Sequence, residues 1–303
     1  MSFKIICAAV SGGMEFEMPS QQIQWFPGHM AKTRRLISEN IKNVDIVIEL
    51  LDARIPRSSK NPEIKKLCES RPTLTLLTKA SLADPAVTKL WEKAYREDGQ
   101  YALAIDCITG ENYNRIGDAV REILADKIKK FEEKGMTGRK LKAMIVGIPN
   151  VGKSSLVNKL SGQKKAKVEN RPGVTLDKQW VTTTQGFDLL DMPGVLWPKF
   201  EDTLIGENLA ATGAIKDQIL DTEELGMILA KRIFDLYPKE FCARYKLEEE
   251  DICDLDSYDL LCAVGKKRGF LMSGGNINTE RAALMMLEEF RSCKIGRISL
   301  ERP

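Results

Sequence analysis

Short apolar runs punctuate residues 44–193: VDIVIELLD, TLTLLTK, YALAIDC, KAMIVGI, QWVTTT and FDLLDMP. Several are continuous rather than alternating, the pattern of strands covered on both faces. Most are separated by stretches with apolar residues at helical spacing, NPEIKKLCES, PAVTKLWEKAYRED and NRIGDAVREILADKIKKFEEKG. Strands alternating with helices predict a mainly parallel, doubly wound α/β sheet. Beyond Pro198 the pattern changes. Residues 203–247 and 256–293 keep the three- and four-residue spacing of helices, as in Leu225, Ile228, Leu229, Ile233 and Leu236. The acidic EEEDICDLD between them reads as a solvated face or loop. The expected organisation is a loose N-terminal extension over 1–20, an α/β domain over 21–205 and a small all-α domain over 206–303.

Composition changes this picture little. With 303 residues, 43% hydrophobic and 29% charged, the chain can bury an ordinary core, which argues against wholesale disorder. A net charge of +3 does not by itself demand a nucleic-acid partner. Seven cysteines without a C-x-x-C pair disfavour zinc and redox motifs and fit free thiols in a reducing cytoplasm. No apolar run approaches the ~18 residues of a membrane span, and the N-terminal apolar patch is too short for a secretory signal.

Chemistry concentrates at GIPNVGKSS, residues 147–155, which matches the phosphate-binding pattern G-x-x-x-x-G-K-[ST]. An apolar strand precedes it and SLVNKL, a helix start, follows. That context lets successive backbone N–H groups wrap a phosphate at a helix N-terminus. Pro149, Asn150, Val151, Gly152 and Ser155 line such a loop. Lys153 is expected to reach the β- and γ-phosphates, and Ser154 to place its hydroxyl on Mg²⁺. Downstream, DMPG at 191–194 ends a strand. Asp191 there can hold a Mg²⁺-bound water, and Gly194 can offer its N–H to the γ-phosphate because glycine admits close backbone approach. Between them, NRPGVTLD carries Thr175, placed to close over Mg²⁺ when a γ-phosphate is present.

GIPNVGKSS, RPGVT and DMPG resemble the first three motifs of translation-factor-type GTPases. Such proteins carry a guanine-reading NKxD and an SA-type loop after DxxG, and nothing after residue 194 fits. Two strands in front of the phosphate loop end suitably instead. One gives Thr78, Lys79, Ala80 and Ser81, and the other gives Asp106, Cys107 and Ile108. The motif order is rotated, as in circularly permuted GTPases. DARIPRSSKNP at 52–62, WFPGHMAK at 25–32 and the string ERAALMMLEEFRSCKIGRISLE narrow the match. Over roughly residues 21–303 the chain closely resembles the YlqF/RbgA family of circularly permuted P-loop GTPases. The resemblance implies GTP and GDP as ligands, Mg²⁺ as cofactor, and a role in assembling the large ribosomal subunit through its precursor and rRNA. It also implies that nucleotide state governs ribosome binding and that hydrolysis is slow until the ribosome stimulates it.

Two departures follow from the residues. NKxD reads TKAS here, so Ser81 replaces an aspartate that would accept two hydrogen bonds from guanine. Losing a charged partner costs ~1.5–3 kcal/mol. Thr78 lacks the amide of asparagine, whereas the stem of Lys79 can still lie along the base. The position after DMPG holds Val195, which cannot orient water, and the family shares this replacement. His29, the only histidine in the chain, is the candidate to orient that water or move its proton, a role the resemblance supports. The side-chain carbonyl of Asn150 can help hold a monovalent cation, and the resemblance supports K⁺. Basic residues suggest RNA contacts at Lys32, Arg34 and Arg35 and again at Lys266, Lys267, Arg268, Arg281, Arg291, Lys294, Arg297 and Arg302. The expected protein is a cytoplasmic GTPase, monomeric off the ribosome. Two other readings stay open: a less base-selective P-loop ATPase, from TKAS, and a nucleotide-gated scaffold with negligible hydrolysis, from Val195.

Overall fold

The computed structural model describes residues 27–162, 179–197, 200, 202–215 and 221–303. All six expected strands form: β1 (Ile46–Asp52), β2 (Thr73–Thr78), β3 (Tyr101–Ala104), β4 (Leu141–Gly147), β5 (Gln179–Thr182) and β6 (Phe187–Asp191). They make one sheet in the order β3-β2-β1-β4-β6-β5. Every neighbouring pair is parallel except β5 with β6. Register aligns Leu50 with both Leu76 and Gly147, so β1, β2 and β4 end side by side. Ligands of open parallel sheets collect at this carboxyl edge.

Alternate residues of β1 serve opposite faces. Ile46, Ile48 and Leu50 pack with Ile116 and Val120 of α4 (Ile116–Ile123) and Leu156 of α6 (Lys153–Ser161). Val47 packs with Ile37 of α1 (Pro27–Asn40) and Ile64 of α2 (Pro62–Cys68). Leu51 packs with Val87 and Trp91 of α3 (Pro85–Glu97). The single helix expected over 114–135 breaks at Leu124, and α5 (Ala125–Glu133) follows as a separate helix.

After β6 the remaining described elements are helical: α7 (Thr203–Ala211), α8 (Thr222–Leu236), α9 (Pro238–Tyr245), α10 (Glu249–Ile252), α11 (Ser257–Lys267) and α12 (Thr279–Arg291). The acidic stretch is a solvated face: residues 248–251 are exposed, and the short α10 forms there around the buried Ile252. Apolar contact is continuous from the α4/α6 face of the sheet into α8, α11 and α12.

The segment after α12 returns to the sheet. Leu300 N–H donates to Arg54 O at 2.9 Å and Ile298 N–H to Leu82 O at 3.2 Å. The buried Glu301 carboxylate accepts the N–H groups of Arg57 (2.7 Å) and Ser58 (3.0 Å), the Ser58 hydroxyl, and Asn208 Nδ2 at 2.9 Å. This strap joins the carboxyl ends of β1 and β2 to the helical part.

Candidate nucleotide-binding site

β4 ends at Gly147, where a Cβ would lie 2.7 Å from Leu50 O on the neighbouring strand. The chain then turns through Asn150 and Gly152, with φ of 56° and 102°, and enters α6 at Lys153. Those left-handed conformations bend the backbone into a loop capable of turning N–H groups toward an anion. Val151 is buried, and Pro149, Asn150, Gly152, Ser154 and Ser155 are half-buried. Lys153 is buried and folds back over the loop, donating to Ile148 O at 2.6 Å and Gly147 O at 3.0 Å. Burial lowers the pKa of its ammonium, opposed by the nearby Asp191 charge.

Asp191 closes β6 beside it. Burial raises its carboxyl, opposed by Lys153 and by the Met192 backbone N–H. Its Oδ1 is buried without a hydrogen-bond partner among the described residues. A carboxylate oxygen so placed fits a metal-bound water, so the residues present suit Mg²⁺. Gly194 presses on the phosphate loop: a Cβ there would stand 2.9 Å from Lys153 Nζ and from Pro149 N and Cα. Val195, also buried, donates its N–H to Gly147 O at 3.2 Å, while Asn61 Nδ2 donates to Val195 O at 3.1 Å. Thr175 lies outside the described residues. His29 falls on α1, and its side chain also lies outside them.

The earlier half of the chain supplies the other side of the pocket. Thr78 ends β2, and its hydroxyl reaches Val151 O at 2.6 Å and Leu51 O at 3.0 Å. The expected loss of an amide is therefore met by a hydroxyl that touches the phosphate loop directly. Lys79 adopts a left-handed φ of 57° and donates Nζ to Asp52 Oδ2 at 3.0 Å. Arg54 grips the same carboxylate with two bonds of 2.9 and 2.8 Å. Burial alone would raise the Asp52 carboxyl, but Arg54 and Lys79 outweigh it and hold it far below the usual carboxylate range.

Ser81 donates both its hydroxyl (2.6 Å) and its N–H (3.2 Å) to Asp106 Oδ2. Asp106 Oδ1 accepts the N–H groups of Ile108 and Thr109 at 2.7 and 2.9 Å. Burial opposes ionisation of Asp106, yet these bonds prevail and lower its pKa. Burial pushes the neighbouring Cys107 thiol up to about 11. Its carbonyl accepts Lys159 Nζ from α6 at 2.7 Å, and the Ile108 side chain is 88% exposed at the rim. Asp84, beyond TKAS, caps α3 by accepting Ala86 N–H at 2.8 Å.

Sequence reasoning brought the two halves together but missed several of their fastenings. The Asp52–Arg54 pair had a signal, the D-A-R string at a strand end. The strap had none: Arg297 donates to Ala80 O and Ala83 O, both at 2.8 Å, on either side of Ser81. Asn150 Nδ2 donates to Gly213 O at 2.7 Å, beyond α7. Its side-chain oxygen is then the atom left for a cation.

The sequence profile described as 50S ribosome-binding GTPase matches residues 142–247. A Bacillus licheniformis protein named ribosome biogenesis GTPase A is 47% identical over 283 residues, covering 93% of this chain and 98% of that protein. The chain belongs to the ribosome biogenesis GTPase A family. A member of that family from Thermotoga maritima is 28% identical over 283 residues, covering 93% of this chain and 95% of its own. The solved structure of GNP-bound YlqF from that organism superposes with a TM-score of 0.60 at 25% identity, covering 90% of this chain and 98% of that one. The GDP-bound structure gives 0.59 at 26%, covering 89% and 99%. The circularly permuted order read from the motifs and the helical region after β6 thus belong to a known family architecture. Within it, the turn after β2 carries Thr78 and Ser81 in this chain.

Proposed function

We propose that this chain binds GTP, hydrolyses it to GDP and phosphate, and uses the difference to govern its attachment to a precursor of the large ribosomal subunit and its rRNA. The observation that carries the reading is the 2.6 Å contact of the Thr78 hydroxyl with Val151 O. It joins a base-side turn to a phosphate loop 73 residues later in the chain. The family name of the relatives supports the ribosome as partner. The GTPase unit is taken as residues 21–205 and the helical unit as 206–303, acting as a cytoplasmic monomer off the ribosome. No helix among the described residues is long and apolar enough to cross a membrane.

Lys153 swings from the Gly147 and Ile148 carbonyls onto the β- and γ-phosphates, an exchange of two neutral acceptors for charged ones. Ser154 and Thr175, with Asp191 through a water, are the residues that would hold Mg²⁺, which would supply positive charge to neutralise that developing on the phosphates. Gly194 offers its N–H to the γ-phosphate. Asn150 would hold K⁺ through its side-chain oxygen, supplying further positive charge beside the phosphates, and His29 orients the attacking water. Val195 donates its N–H to Gly147 and presents only an apolar side chain, which supports a slow intrinsic rate, on the order of 10⁻⁴–10⁻² per second.

For RNA, the C-terminal cations divide. Arg291 donates to Ala210 O and Ala211 O at 2.8 and 2.9 Å, and Arg297 holds the base-side turn, so both serve the fold. Lys266, Lys267, Lys294 and Arg302 are exposed and remain for phosphate contacts. A second basic place lies at the opposite end of the sheet. There Lys42, Arg71, Lys127, Arg139 and Lys142 surround a cavity of about 520 Å³ with Trp180 at its wall and Asp45 as the only carboxylate. Cations with an exposed aromatic suit unstacked RNA.

The test is GTP turnover with and without large ribosomal subunits, for wild type, Lys153→Ala and His29→Ala. Wild-type turnover is expected to rise with subunits and collapse in Lys153→Ala. Unchanged GTP affinity in Lys153→Ala removes the phosphate assignment. Full stimulation in His29→Ala removes the water-orienting role.

A further inference from the structure

The carboxylate missing from the turn after β2 stands one strand away. Asp106 is 2% exposed, and its two oxygens take four donors, two from Ser81 and one each from Ile108 and Thr109. It has no free face for a ligand. Ser81, by contrast, is half-buried at the pocket's rim. A serine hydroxyl has one proton and two lone pairs. With the proton committed to Asp106 at 2.6 Å, the oxygen has only lone pairs to present to a ligand. Donation to a carboxylate also makes that oxygen a stronger acceptor. We propose that Asp106 sets the base preference by holding the Ser81 hydroxyl as an obligate acceptor for the N1–H or 2-amino group of guanine.

The inference rests on the GTP reading above. Adenine offers an unprotonated N1 and a C–H at the same edge, so the Ser81 oxygen would meet a lone pair there. Polar groups left facing the wrong partner are how a site rejects an analogue. The turn is also pinned independently: Arg297 holds the carbonyls of Ala80 and Ala83, so Ser81 cannot drift from Asp106 without breaking two further bonds. Asp106 is thus a positioning residue, acting on the base through Ser81.

The experiment measures GTP and ATP affinity on the full chain by competition against a fluorescent GTP analogue. The variants are Asp106→Asn, Ser81→Ala and the exchange Ser81→Asp/Asp106→Asn, each checked for folding by its thermal melt. In Asp106→Asn the side-chain oxygen can keep the Ile108 and Thr109 bonds while the amide donates to Ser81 Oγ and the Ser81 N–H loses its acceptor. The hydroxyl proton then turns outward and the acceptor becomes a donor. The preference for GTP over ATP is expected to fall about tenfold or more, through weaker GTP binding. Ser81→Ala is expected to fall comparably, and the exchange, which moves the carboxylate onto the base, to recover the preference. An unchanged preference in folded Asp106→Asn overturns the proposal. If that variant does not fold, an unchanged preference in Ser81→Ala does so instead. A wild-type protein that does not prefer GTP overturns the GTP reading itself, a result distinct from a preference that survives Asp106→Asn.

Discussion

Replacing Gly194 with alanine adds one methyl group where three heavy atoms already stand 2.9 Å away. Two of them, N and Cα of Pro149, belong to the phosphate-loop backbone and move only if the loop moves. The third, Lys153 Nζ, can swing, but only by releasing the carbonyls it holds at 2.6 and 3.0 Å. Gly194 is not among the positive-φ residues, so alanine meets no backbone penalty and the effect is steric. Overpacking of this kind costs ~1–3 kcal/mol. Where the loop backbone at Pro149 is the part that yields, the N–H groups facing the phosphates move with it, and the same free energy in nucleotide binding is a roughly 5- to 150-fold loss. Urea unfolding of the full chain and titration with a fluorescent GTP analogue read both quantities. The midpoint is expected to fall at unchanged slope, with GTP affinity reduced. Gly152→Ala supplies the contrast, since a Cβ there meets nothing within 4 Å and the penalty comes from its φ of 102° alone. A Gly194→Ala protein that unfolds within about 0.5 kcal/mol of wild type and binds GTP equally well refutes the close stacking of DMPG on the loop.

Other substitutions probe the fastenings around the pocket. Asp52→Asn strands the buried Arg54 guanidinium and is expected to cost ~3–5 kcal/mol in urea unfolding. Because the folded-state pKa of Asp52 is depressed below its ordinary 3.8, its stabilisation is complete above that pH and is lost as pH falls through the folded value, so the two proteins converge in acid. Thr78→Val keeps the shape but removes the donor to Val151 O, for a loss of ~1–3 kcal/mol; faster GDP release in stopped-flow measurements is the expected sign, and an unchanged rate counts against the tie. Glu301→Ala strips the acceptor from two backbone N–H groups, the Ser58 hydroxyl and Asn208, at an expected ~1.5–3 kcal/mol or more. A midpoint equal to wild type would show that the strap contributes little.

Much of the fold could be read from period alone. Runs such as LKAMIVG are apolar throughout because both faces of a parallel strand are covered, and the motifs at their ends dictated which strand tips had to meet. The helix break at Leu124 and the short helix at Glu249–Ile252 were not legible, since both turn on single residues finding buried places in tertiary structure. At the site, motif spacing singled out the phosphate loop, DMPG and the turn after β2. It did not reveal that Ser81 donates to Asp106, because TKAS and IDC were weighed as separate strings and only the adjacency of β2 and β3 brings them into contact. The same blindness applies to Arg297, which counted as surface charge but holds two backbone carbonyls more than 200 residues earlier.

That last tether reverses the order of synthesis and folding. Residues 78–84 are made early, yet their carbonyls wait for a guanidinium made 214 residues later, and the donors at Arg57 and Ser58 wait for a carboxylate later still. Loops this long close slowly. A nascent chain therefore exposes an unfinished turn after β2 until the segment around Arg297 has emerged, and the carbonyls of Ala80 and Ala83 wait for that guanidinium.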